Sequence, residues 1–170
     1  QDKAAGYFYH GYNNITKDHM SGFYWGRANG WTAYTMAMAK QYINYLYPMF
    51  MEIDCSLRDQ LAGLKSVQSN NGLWHNIVDD EESYEEVSAS CGIAAAMIIN
   101  DNPLHTKYVQ KALEGVLANI TEDGRVLNVS GGTAVMKGYR NVPRTWIQGW
   151  GQGLALAFLV NVLKCKEDEA

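Results

Sequence analysis

Apolar residues return at helical spacing in five separate stretches of the chain, with polar, glycine-containing segments between them. The first helix is expected from Asn29, a good N-cap, along Trp31, Tyr34, Met38, Tyr42 and Tyr45, until Pro48 stops it. A second runs from about Ile53 to Val67 with Ile53, Leu57, Leu61 and Leu64 on one face. Ser83 and Glu86 stand at capping-box spacing ahead of a third, which carries Val87, Cys91, Ala94, Ala95, Ile98 and Ile99. The pair Asn102-Pro103 reads as the start of a fourth, with Tyr108, Ala112, Leu113, Val116 and Leu117. A glycine-rich segment of strand-like or loop character spans Asp123 to Trp150. The last helix, Gln152 to Lys164, is apolar nearly all round and calls for cover on most sides. About six helices are expected in all, as antiparallel hairpins whose long loops gather on one rim. This is an all-α chain; periodicity alone fits a plain bundle as well as a ring.

Composition narrows the function. The 170 residues suit a single domain, 1–170, and the 47% apolar fraction suffices for a core. A net charge of −4 without a basic stripe argues against a nucleic-acid partner. No apolar run approaches the ~18–20 residues that span a bilayer, so no membrane partner is expected. Residues 1–30 hold no signal-peptide pattern; a processed or truncated chain would look the same, so cytoplasmic, periplasmic and secreted settings all stay open. Cys55, Cys91 and Cys165 are too sparse for a disulfide framework, and with no CxxC or HExxH spacing no metal site is expected. Sequons at Asn14, Asn119 and Asn128 matter only in a secretory pathway. The 5 Trp and 11 Tyr lie partly in polar, glycine-rich segments, where flat rings suit the C–H faces of sugars; packing in the core is the alternative.

Three segments carry more than composition. The first is Tyr9-His10-Gly11-Tyr12-Asn13, followed by Phe23-Tyr24-Trp25-Gly26-Arg27-Ala28-Asn29-Gly30-Trp31. The second is Gly72-Leu73-Trp74-His75-Asn76-Ile77-Val78-Asp79-Asp80, followed by Ser83-Tyr84-Glu85-Glu86-Val87-Ser88-Ala89-Ser90. The third is Gly149-Trp150-Gly151-Gln152-Gly153-Leu154-Ala155-Leu156-Ala157. In order and content they resemble the unsaturated rhamnogalacturonyl hydrolases of glycoside hydrolase family 105 and the unsaturated glucuronyl hydrolases of family 88, over nearly the whole chain.

The resemblance implies an (α/α)6 toroid with its active site at one end, of which this chain is about half, the C-terminal one. It implies removal of the unsaturated uronic acid that polysaccharide lyases leave at the non-reducing end of oligosaccharides, with pectin-derived substrates favoured. A carboxylic acid protonates C4 of the enol ether, water adds at C5, and the hemiketal that forms opens and releases the glycosidic bond. One acid/base group suffices and no cofactor is expected. An oligosaccharide is the implied partner, together with either a missing N-terminal half or a second copy to cover the apolar surface. The rival expectation is a catalytically silent carbohydrate-binding or structural helical domain.

The resemblance also nominates residues. The family's catalytic aspartate position holds Asn13, an amide that cannot donate the C4 proton. Engineered inactivation, natural loss of catalysis, or another acid such as Asp18, Asp79 or Asp80 would each account for it. Arg27 either holds a substrate carboxylate or caps loop carbonyls. Trp25 and Trp31 either stack on sugar rings or belong to the core. His10 either bonds the uronate or is structural, and Trp74 and His75 either reach substrate from a rim loop or pack that loop.

Overall fold

The computed structural model describes residues 1–101 and 106–168. Five helices form among them: α1 (Gly26–Lys40), α2 (Pro48–Ser66), α3 (Val87–Asp101), α4 (Lys107–Leu117) and α5 (Gly149–Asp168). The described residues contain no strand, only isolated bridges such as Trp25 to Ile77 and His75 to Glu85. The 123–150 segment, expected as strand or loop, is irregular up to α5.

α3 is the hub, packed most extensively against α1 and α5 and also touching α2 and α4. Small residues make this possible. A Cβ on Gly30 would lie 2.8 Å from the carbonyl oxygen of Ala89, and one on Gly92 would lie 2.8 Å from that of Gly30. The two backbones therefore touch, and any side chain at either glycine would force them apart. Every residue from Val87 to Ile98 is buried, as expected of a helix that is apolar on all sides.

Contacts along the helices give their directions. Gly26 meets Ala89, Gly30 meets Gly92, and Lys40 bonds Asn100, so α1 and α3 run parallel. Gln60 bonds Asn29 while Asp54 pairs with Lys40, so α2 returns antiparallel to α1. Gly115, near the end of α4, packs on Leu73, whose neighbour Trp74 bonds Ser90 in the first turn of α3. Gly151 at the start of α5 packs on Val129, beside the Asn128 carbonyl that accepts from the Val87 N–H. Hence α1, α3 and α5 all begin at one end, α2 and α4 run back, and the segments 1–25, 67–86 and 118–148 converge where the odd helices start.

Several boundaries differ from expectation. α1 begins at Gly26 rather than Asn29. Asn29 sits within its first turn, where its amide exchanges hydrogen bonds with both backbone groups of Phe8 and accepts from Gln60. α1 ends at Lys40, and Pro48 opens α2, the position where its missing N–H costs nothing. The buried face of α1 carries Ala33 and Ala37 rather than Trp31, because the close approach to α3 admits only small side chains; Tyr42 lies past the helix end and is exposed. Ser83 does not cap α3; its hydroxyl bonds Ile77 and Asp80, and Glu86 caps the helix itself by accepting from the Ala89 N–H. The Asn102-Pro103 start lies outside the described residues, and Thr106 caps α4. α5 is not covered all round: Leu154, Phe158 and Val162 are buried while Leu156 and Leu163 are exposed.

Candidate active site

At the end where α1, α3 and α5 begin, one polar residue joins two aromatic ones. Asn76 accepts from the Trp25 indole at 3.1 Å and donates to the Tyr139 backbone carbonyl at 2.6 Å. The Trp25 and Tyr139 rings then stack, 5.9 Å apart and 13° from parallel. His10 lies against Trp25 with ring centres 4.4 Å apart, and its Nδ1 is 2.8 Å from the Tyr139 hydroxyl. Burial, and after it the positive charge of Arg27, hold the His10 pKa below its ordinary value, so the ring is neutral near neutral pH.

Arg27 forms the second layer. Its guanidinium donates to the carbonyls of Ser130 at 2.5 Å and Gly131 at 2.6 Å and stands 3.8 Å from the Glu86 carboxylate. Trp25, Trp31 and Trp150 surround it at 4.5, 5.6 and 5.0 Å, a range in which ring quadrupoles attract a cation. Glu86 is fully buried and accepts from Ser88, from the Ala89 N–H and from the Ser130 N–H. Burial pulls the Arg27 pKa below its usual value, while Glu86 and Tyr84 oppose that shift. The pair thus ties the start of α1, the start of α3 and the 129–131 segment into one knot. Removing either charge would strand the other away from water.

Asn13 lies in a turn three residues past His10. Its side-chain oxygen accepts from the backbone N–H groups of Ile15 at 2.9 Å and Thr16 at 3.3 Å, and its own N–H donates to the Asp18 carbonyl. An aspartate would accept the same two bonds, so the turn suits either residue. Two of the three carboxylates nearest the motifs are engaged as anions. The Thr16 hydroxyl and then the Met20 N–H lower the pKa of Asp18. Asp80 is held down chiefly by Arg140, which bonds both of its oxygens. Neither keeps a proton to give near neutral pH. Asp79 is exposed in the adjoining loop.

The expected site residues divide. His10, Trp25, Arg27 and Trp31 come together. Trp25 and Arg27 are 2% and 1% exposed, and Arg27 bonds the loop carbonyls of Ser130 and Gly131. Trp74 is fully buried, and its indole donates to the Leu64 carbonyl. The His75 side chain bonds the Ser83 carbonyl and lines a separate polar hollow with Gln68, Asn70, Asn71 and Glu85. Trp31 keeps 44% of its surface open and stands edge-on to Trp25, its ring centre 6.4 Å away, while His10 and Asn13 are half-buried. Sequence reasoning missed Glu86 as the partner of Arg27, Tyr139 as the partner of His10, and Trp150 as the third ring over Arg27. For Glu86, a carboxylate opening so apolar a helix was the available signal; nothing local marked Tyr139.

Helices α1, α3 and α5 start from one loop-bearing end, where aromatic rings and a histidine gather in an all-helical fold. The chain belongs to Glycosyl Hydrolase Family 88, whose model matches residues 1–166. It is 56% identical to the unsaturated rhamnogalacturonyl hydrolase YesR of Bacillus subtilis (strain 168), over 98% of this chain and 49% of that protein. A possible family 105 member from Salmonella enterica superposes with a TM-score of 0.88 at 26% identity, over 96% of this chain and 46% of that one. A family 88 hydrolase from Bacteroides vulgatus shares the fold with a TM-score of 0.77 at 16% identity, over 96% and 51%. The chain therefore spans about half the length of the relatives it matches, and its five described helices make up about half of their (α/α)6 toroid.

Proposed function

We propose that this chain forms the C-terminal wall of an enzyme that hydrates the double bond of unsaturated uronyl oligosaccharides, pectin-derived ones favoured. The observation that carries this is the 56% identity to the rhamnogalacturonyl enzyme across 98% of the chain. In this reading Trp31 offers a sugar-stacking face, His10 a hydrogen bond, and position 13 the acid/base position. The buried Arg27–Glu86 pair sets the rings in place and acts through them. With Asn13 in the acid position and Asp18 and Asp80 held ionised, proton transfer to C4 is the step this chain leaves weakest.

The groove between α1 and α5, about 420 Å³, is lined by Tyr34, Met38, Tyr42, Leu156 and Val160. Gln41, Asn161 and Lys164 also line it, so its mixed apolar and polar lining suits cover by further helices such as the longer relatives have. The alternative cover, a second copy of this chain, would appear as a two-fold dimer.

The test is loss of the ultraviolet absorbance of the conjugated double bond when unsaturated rhamnogalacturonan disaccharide is added to the complete protein and to its Asn13→Asp variant. Aspartate is expected to raise the rate at least about 100-fold, the usual worth of a positioned acid. Equal rates in the two proteins would remove position 13 from the chemistry. Saccharide binding without turnover in both would favour a silent carbohydrate-binding module.

A further inference from the structure

Tyr139 is fully buried, so its hydroxyl has no solvent to exchange with and must be satisfied within the protein. It has two neighbours among the described residues. The Met136 backbone N–H lies 3.2 Å away and can only donate to it; His10 Nδ1 lies 2.8 Å away and can act either way. With Met136 donating, the phenolic proton has one acceptor left, which is His10 Nδ1. The reverse arrangement, in which the imidazole donates from Nδ1, leaves a buried phenolic proton without a partner. That disfavours it by about tenfold or more in population. The phenol is itself held in place, since Asn76 bonds the Tyr139 carbonyl and Trp25 stacks on its ring.

We propose that Tyr139 is a positioning residue that locks His10 in the tautomer with its proton on Nε2, so that the histidine presents a hydrogen-bond donor to the sugar. The donor role rests on the functional reading above, in which His10 meets the substrate; the tautomer itself does not. An Nε2–H matches the oxygens of a uronyl sugar, whereas a bare Nε2 would face their lone pairs with one of its own. Burial and the nearby Arg27 charge keep the ring neutral, a condition the lock requires because a protonated imidazole could not accept from Tyr139.

The test is nitrogen NMR of the complete protein labelled at histidine, before and after Tyr139→Phe, together with calorimetric titration of unsaturated rhamnogalacturonan disaccharide. The wild-type protein is expected to show His10 with its proton on Nε2. The variant, which keeps the ring and loses only the hydroxyl, is expected to show a mixture of tautomers and about tenfold weaker saccharide affinity. A wild-type proton on Nδ1 overturns the proposal with no variant needed, so a variant that fails to fold cannot shelter it. An unchanged tautomer in the variant overturns the lock, and a shifted tautomer with unchanged affinity overturns the positioning role. If neither protein binds saccharide, the functional reading and the donor role fall together, while the wild-type spectrum still decides the lock.

Discussion

Two helices of this protein look alike as strings and differ as structures. α3 and α5 are both dominated by apolar residues, yet α3 is buried from Val87 to Ile98 while α5 leaves Leu156 and Leu163 more than half exposed. The difference lies in what each meets. α3 has α1 on one side, α5 on another, α2 and α4 beyond, and Arg27, Ser130 and Trp74 at its first turn. α5 packs on α3 and presents its other side to the groove shared with α1. An apolar helix is thus either enclosed by its neighbours or open on one side, and composition does not distinguish the two.

Glu86→Ala attacks the covered helix where it starts, and it should do the most damage. It strands Arg27 in a buried site and removes the acceptor of Ser88, Ala89 and Ser130, a loss of about 3–5 kcal/mol in denaturant unfolding. A loss below about 1 kcal/mol would mean that water reaches Arg27 and that the knot does not anchor the start of α3.

A pair of glycine substitutions, one within each helix, sharpens the contrast. Gly92→Val drives a side chain into the backbone of Gly30 and is expected to cost about 3 kcal/mol. Gly153→Ala meets nothing within 4 Å in α5 and should stabilise by about 0.5–1 kcal/mol through helix propensity. Thermal melts of the two variants should therefore move in opposite directions, and a shared direction would erase the distinction between the two helices.

The smallest effect on folding is expected at the open face. Leu156→Glu with Leu163→Glu alters exposed positions and should change the stability of this chain by less than about 0.5 kcal/mol per site. Light scattering supplies the sharper reading. The unsubstituted 170-residue chain should associate through this face, and the double variant should remain monomeric. A monomeric parent chain at the same concentration would show that the edge needs no cover.

By itself the sequence determined that the chain is helical, the order of its helices, which loops are long and aromatic, and, through three motifs in order, its family. These features are legible because helical periodicity is local and because W-G-R-x-N-G-W is a contiguous string. Only the tertiary structure decided which face of each helix is buried. On α1, periodicity pointed to Trp31 and Tyr34, but the backbone contact with α3 selects Ala33 and Ala37, since bulk there would separate the helices. Tertiary structure also decided the partners of Arg27, which bonds Ser130 and Gly131 from more than a hundred positions away, and gave His10 a phenol 129 positions along the chain. A hydrogen bond depends on separation and angle in space rather than on distance along the chain, so pairs that close over such spans leave no local pattern to read.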